Sequence, residues 1–193
     1  MAKTIFASVA GILALTAPAL AQDAQAAFQA AFSEACMLED RQAAAEYYPD
    51  ENWTLTWEDE YTYMERSIEL HQFFCSSGAY NVNLVFYVID PVDGPMPVSF
   101  AVPDFDVRYV DDDLDGAVES IDLQGFRTQS MLTNPTFDPE TQTITDHVLW
   151  RGIGDASSSG SWVWSRGGFV LKSYEVDASY DGEINPKRIV NYP

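Results

Sequence analysis

Phe105-Asp106-Val107-Arg108-Tyr109-Val110-Asp111-Asp112-Asp113-Leu114-Asp115-Gly116-Ala117-Val118-Glu119-Ser120-Ile121-Asp122-Leu123-Gln124 is the stretch on which the fold turns. Its centre, Asp111 to Glu119, reads D-x-D-x-D-G-x-h-E, where h is apolar. Alternate carboxylates, a glycine for the sharp turn, an apolar residue and a further acid are what a calcium loop requires. An EF-hand would place helices on both sides. Here both flanks, 105–110 and 121–124, alternate with the period of a strand. The stretch is therefore an EF-like loop at the tip of a β-hairpin.

Counted from Asp111 as position 1, the candidate calcium ligands are Asp111, Asp113, Asp115, the carbonyl of Ala117, Glu119 directly or through water, and Asp122 at position 12. Asp122 is one methylene shorter than the usual glutamate, which weakens bidentate closure and points to the weak affinities of extracellular calcium modules, about 10⁻⁴–10⁻³ M. A second, sparser copy runs from Asp177 to Asn185. There Asp177, Ser179, Asp181, the carbonyl of Glu183 and Asn185 fit positions 1, 3, 5, 7 and 9, but position 12 is Arg188. The plain alternative is that Asp-Gly marks a solvated hairpin turn whose acids block edge-to-edge aggregation. Against it, six carboxylates fall within twelve residues of the first loop. Each close pair costs about 1 kcal/mol at 4 Å even in bulk water, and a turn alone needs no such crowding.

Outward from the hairpin, further strand-like runs are Trp53 to Trp57, Ser67 to Phe74, Val82 to Ile89, Val98 to Val102, Thr143 to Arg151, Ser161 to Trp164 and Gly168 to Val176. Turn signals such as Asp93-Gly94-Pro95, Asn134-Pro135 and Arg166-Gly167-Gly168 separate them. Only the start reads as helical. Residues 22–48 are Ala-rich, carry Phe28 and Phe32 at i,i+4 spacing, and stop at Pro49. The expected fold is mainly β (α+β): an antiparallel sheet or sandwich with one N-terminal helix packed on it. A single globular domain is expected over 22–193, with helix at 22–48 and the β-rich part at 52–193.

Residues 1–21 read as a secretory signal peptide, with Lys3 in the n-region, an apolar stretch from Ile5 to Leu15, and Ala19-Leu20-Ala21 as the cleavage site. No segment approaches the roughly 20 apolar residues of a membrane span. The expected location is periplasmic or secreted. In that oxidising setting Cys36 and Cys75 are expected to pair as a structural disulfide, since no C-x-x-C redox motif is present.

The 193 residues carry Lys+Arg 10 against Asp+Glu 30, a net charge of -20. Nucleic acid and anionic lipid are thereby disfavoured as partners, and divalent cations, polyamines or a basic envelope protein favoured. Aromatic content of 13% excludes a disordered chain. Oligomeric state is not encoded in these features.

Three motifs in the C-terminal third belong together: Leu132-Thr133-Asn134-Pro135-Thr136-Phe137-Asp138-Pro139-Glu140-Thr141, then Trp150-Arg151-Gly152-Ile153-Gly154-Asp155, then Gly160-Ser161-Trp162-Val163-Trp164 with Phe169-Val170-Leu171. In this arrangement the chain resembles the bacterial family called domain of unknown function 1176, most firmly over residues 131–185. The resemblance implies a secreted or periplasmic protein of unassigned activity and carries over no catalytic residue. Family members place one cysteine after Gly-Asp and another in a C-x-G near the end, where this chain has Ala156 and Tyr180-Asp181-Gly182. The resemblance thus suggests that the second acidic loop replaces a bridge, a bound cation clamping the same backbone.

Other constellations are bland. Gly152-Ile153-Gly154 lacks the strand-to-helix setting of a nucleotide loop. Ser157-Ser158-Ser159-Gly160 lacks a G-x-S-x-G frame and reads as a flexible turn. His71 and His147 have no metal-ligand spacing and read as structural residues. Arg151 and Asp155 are expected to pair at a tight turn. Trp162 and Trp164 share one strand face, as core or as an exposed platform for a sugar. No convergent catalytic set is present, so a non-enzymatic calcium-binding domain is the expected function. An acidic binder or inhibitor of a basic protein such as a lysozyme, and a carboxylate-based hydrolase, are the alternatives.

Overall fold

Val82–Asp90 is apolar at nearly every position because both of its faces are covered. In the computed structural model, which describes residues 17–114 and 116–193, with side chains from residue 23 onward, this strand sits inside a five-stranded antiparallel sheet. The sheet runs β1 (Glu51–Glu58), β2 (Glu65–Ser77), β3 (Val82–Asp90), β4 (Gly94–Pro97). A two-stranded ribbon follows, β5 (Phe100–Tyr109) paired with β6 (Val118–Gln129). Then β7 (Met131–Thr133) returns to pair with β3, completing the first sheet. A six-stranded antiparallel sheet comprises β8 (Thr136–Asp138), β9 (Thr143–Thr145), β10 (Val148–Leu149), β11 (Ser157–Ser165), β12 (Gly168–Asp177) and β13 (Lys187–Asn191). The antiparallel, mainly β architecture expected from the alternation is the one observed.

On one face of β3, Val82, Leu84, Phe86 and Val88 join Leu55, Leu70, Phe100, Leu132, Ile144, Trp162, Trp164 and Val176 in the main core between the two large sheets. On the other face Val85, Tyr87 and Ile89 pack with Phe73, Cys75, Ala24 and Phe28 beneath the N-terminal helix α1 (Ala17–Ala31). A continuous apolar run is the sequence of a strand buried on both sides. Trp162 is fully buried and Trp164 nearly so, which settles that pair as core rather than a sugar platform. Pro95 and Pro97 lie on β4, a four-residue edge strand, where a missing N–H costs no ladder bond.

Three sequence expectations need correction. The helix over 22–48 is broken: α1 ends at Ala31, and only a 3₁₀ turn, Leu38–Asp40, and a single turn α2, Arg41–Ala44, follow. The break lets Cys36 reach Cys75 in a disulfide, with the Met37 N–H bonded to the Cys75 carbonyl at 2.7 Å. The run Thr143 to Arg151 is two short strands, interrupted where Asp146 turns its carboxylate to the Gly160 N–H at 2.7 Å. Ser157 to Gly160 is the buried first half of β11, not a flexible turn. Small side chains are required there, since a Cβ on Gly160 would lie 2.2 Å from the Trp162 ring. Residues 1–16, which hold most of the expected signal segment, lie outside the described residues.

Candidate acidic cleft

The first acidic loop caps the β5–β6 ribbon. Val110 donates to Ala117 O at 3.0 Å, Asp113 N to Val110 O at 3.2 Å and Gly116 N to Asp113 O at 2.8 Å, so the tip closes on its own backbone. Asp111 and Asp112 take positive φ, 59° and 54°, which few residues other than Gly, Asn and Asp tolerate. Gly116 is required by contact: a Cβ there would sit 2.9 Å from Asp113 O. Asp111, Asp113 and Glu119 are exposed at the tip, and Asp115 lies outside the described residues. Asp122 is not brought to the loop. It stands on β6 opposite Asp106, and its carboxylate accepts from Arg108 at 2.8 Å and Ser120 Oγ at 2.9 Å. These bonds hold its pKa below the usual carboxylate value.

The second loop, between β12 and β13, is organised by Asp177, which is 2% exposed. Its Oδ1 accepts from the Ser179 N–H at 3.2 Å and hydroxyl at 2.8 Å, and its Oδ2 from the Asn185 N–H at 2.6 Å. Asp177 thus ties Ser179 and Asn185 together by hydrogen bonds within the loop. Asp181 is exposed and accepts from Glu183 N at 2.9 Å. The same loop is clamped from outside by the expected Arg151–Asp155 pair, Arg151 Nε donating to Asp155 Oδ1 at 2.6 Å. Asp155 Oδ2 accepts the Gly182 N–H at 2.8 Å, and Arg151 donates to Tyr180 O at 2.9 Å. Arg151 holds the buried Asp155 carboxyl far below its ordinary pKa. The segments bearing Ala156 and Tyr180 are therefore neighbours, but an ion pair and hydrogen bonds join them.

The arrangement the sequence did not show is that the two loops meet. Tyr109, at the base of the first, donates its hydroxyl to Ala178 O in the second at 3.0 Å. Burial, and more weakly Tyr180, raise the Tyr109 phenol pKa and keep it a donor. Between the loops lies a cleft of about 570 Å³. The first loop contributes Gly116, Ala117 and Val118; the second contributes Asp177, Ser179, Asp181 and Asn185; Lys187 stands at the edge. Of the candidate ligands, Ala117, Asp177, Ser179, Asp181 and Asn185 share the cleft, while Asp111, Asp113, Glu119, Asp122 and Glu183 do not line it. Among the described residues no three His, Cys, Asp or Glu side chains are poised around one metal position. The oxygens in the cleft are a mixed set of carboxylate, hydroxyl, amide and carbonyl. His71 is buried in β2 beside Phe73, where desolvation lowers its pKa, and His147 is exposed.

A disulfide-tied β structure of two large sheets and a two-stranded ribbon, with an acidic cleft between loops, defines the class. The profile of the family described as protein of unknown function, DUF1176, matches residues 9–186, most of the chain, and the chain belongs to that family. The match extends far upstream of the segment in which the resemblance was firmest. No curated protein and no solved structure matches it. No helix among the described residues is long and apolar enough to cross a membrane.

Proposed function

We propose that the protein is a non-enzymatic periplasmic or secreted domain whose acidic cleft binds a divalent cation, calcium being the ion that fits best. The observation that carries this reading is the convergence of two D-x-D-x-D-G-like loops, more than 50 residues apart in sequence, on one cleft. Calcium takes 6–8 oxygen ligands of mixed type in flexible geometry, which suits Asp181, Asn185, Ser179 and the Ala117 carbonyl with water completing the shell. Magnesium demands near-octahedral geometry and suits this cleft poorly. The disulfide supports an oxidising compartment.

For a site of about 1 mM affinity, 10 mM calcium stabilises the fold by about 1.4 kcal/mol, or roughly 3–6 °C in Tm. Asp181→Asn, which keeps the turn acceptor but removes the charge, reduces that shift. An equal response to magnesium, or a shift untouched by Asp181→Asn, would remove the cleft as the site.

A second reading, binding of a basic protein, is favoured by the β1–β2 hairpin tip. Tyr61, Tyr63 and Met64 are 91%, 76% and 66% exposed there, beside Glu58, Asp59 and Glu60. Asp59 fixes the tip by accepting from Tyr61 N, Thr62 N and Thr62 Oγ1. Exposed aromatics in an acidic frame are suited to a cationic protein surface. Binding to a basic protein such as lysozyme should weaken sharply between low and high salt and be lost in Tyr61→Ser; salt-insensitive binding contradicts it.

A further inference from the structure

Where the ribbon and both large sheets meet, away from the acidic cleft, lies a cavity of about 280 Å³. The ribbon supplies Phe105, Arg127 and Gln129, the first sheet Thr133, and the second sheet Ser158 and Tyr174, with Trp150 beside β10 closing one wall. Trp150 and Phe105 lie nearly parallel, 15° apart with centroids at 6.4 Å, and Tyr174 is 6.3 Å from Phe105. Trp150 is only half-buried and lines the cavity, with its ring packed against Phe105 and the main core behind it.

Around these rings the polar groups, from Arg127, Gln129, Thr133, Ser158 and Tyr174, are of complementary kinds. Tyr174 donates to Ser158 Oγ at 3.2 Å, so the Ser158 hydroxyl hydrogen has no acceptor among the described residues. Gln129 commits its amide nitrogen to Met131 O at 2.8 Å, which leaves its carbonyl oxygen as an acceptor. Arg127, 58% exposed, is a donor at the rim, loosely paired with Asp104 at 3.4 Å. An apolar aromatic wall with converging donors and acceptors is what a pyranose needs, one C–H face to stack and a rim of hydroxyls to satisfy. At about 30 Å³ per water the cavity holds roughly nine waters, the space of one ring. The arginine is already offset by Asp104, and a field of -20 opposes anions, so the ring should be uncharged.

We propose that this junction cavity binds one neutral sugar ring, stacked on Trp150 and hydrogen-bonded by Arg127, Gln129 and Ser158. The proposal uses none of the cleft residues, and its test is run in EDTA so that it stands or falls apart from calcium. Glucose, galactose, mannose and N-acetylglucosamine are titrated against tryptophan fluorescence and saturation-transfer NMR, with glucuronate and benzoate as anionic and aromatic controls. At least one neutral sugar should bind saturably, with Kd of about 1–10 mM, the range of a single-ring contact. Arg127→Ala, at an exposed position, should weaken it about tenfold at unchanged Tm, and Trp150→Leu should abolish it. No saturation by any neutral sugar to about 100 mM, tighter binding of either control, or wild-type binding by Arg127→Ala would overturn the proposal.

Discussion

Asp146 is the residue whose chemistry departs furthest from expectation in the direction of neutrality. It is 4% exposed, accepts the Gly160 N–H at 2.7 Å, and burial pushes its pKa up to about 7. A carboxyl raised from 3.8 binds a proton in the fold that the unfolded chain has released. Its contribution is therefore fully present below pH about 4 and is lost as pH rises toward 7. Asp146→Asn keeps the acceptor for Gly160 and has no charge to bury. It should raise stability at pH 8 by about 1–4 kcal/mol and flatten this part of the pH profile between 4 and 7. Equal Tm for wild type and variant at pH 8 would refute this account. Gly160 makes the complementary prediction. A Cβ there meets the Trp162 ring at 2.2 Å, so Gly160→Ala should cost about 1–3 kcal/mol, a fall of roughly 2–12 °C in thermal unfolding. Neither role was legible in the sequence, because a run of Ser and Gly signals a turn unless the ring that folds over it is known. The Arg151–Asp155 pair was legible, since both partners lie on one tight turn.

Among the elements, β3 was readable from its long apolar run and β2 from the alternation Ile68-Glu69-Leu70 followed by Phe73-Phe74. The helix was readable only in part. Phe28 stacks on Phe32 and Phe73 as the i,i+4 spacing implied, but the sequence held no signal that the chain must turn at Cys36 to meet β2. Strand β13 was missed altogether, since Lys187-Arg188-Ile189-Val190-Asn191 is short and charged and is defined by its pairing with β12. The disulfide crosses a sequence separation of 39 residues, and closing a loop of that length stabilises the fold by about 4 kcal/mol on chain entropy. Reduction, or Cys36→Ser with Cys75→Ser, should lower stability by that order and open 23–50 to protease before the sheets. Unchanged denaturant midpoints under reduction would show that the bridge only decorates a helix already held by Phe28.

For the whole molecule, the acidic motifs were legible one by one and their meeting was not. The period-2 flanks placed the first loop on a hairpin, and Asp-Gly spacing marked the second. Nothing local reports that β5, β6 and β12 bring Ala117 and Asp177 to one cleft, because that depends on how the ribbon crosses the second sheet. The position-12 expectation also depended on such context, and Asp122 serves Arg108 instead. A net charge of -20 then gives the convergence a consequence, since a cleft between acidic loops concentrates cations. The most direct test is a calcium titration followed residue by residue through backbone amide NMR, with magnesium as control. Gly116 to Val118 and residues 177–185 should shift together, with one midpoint at about 1 mM and little response to magnesium. Shifts confined to the exposed tip at 111–114, or distinct midpoints for the two loops, would contradict it.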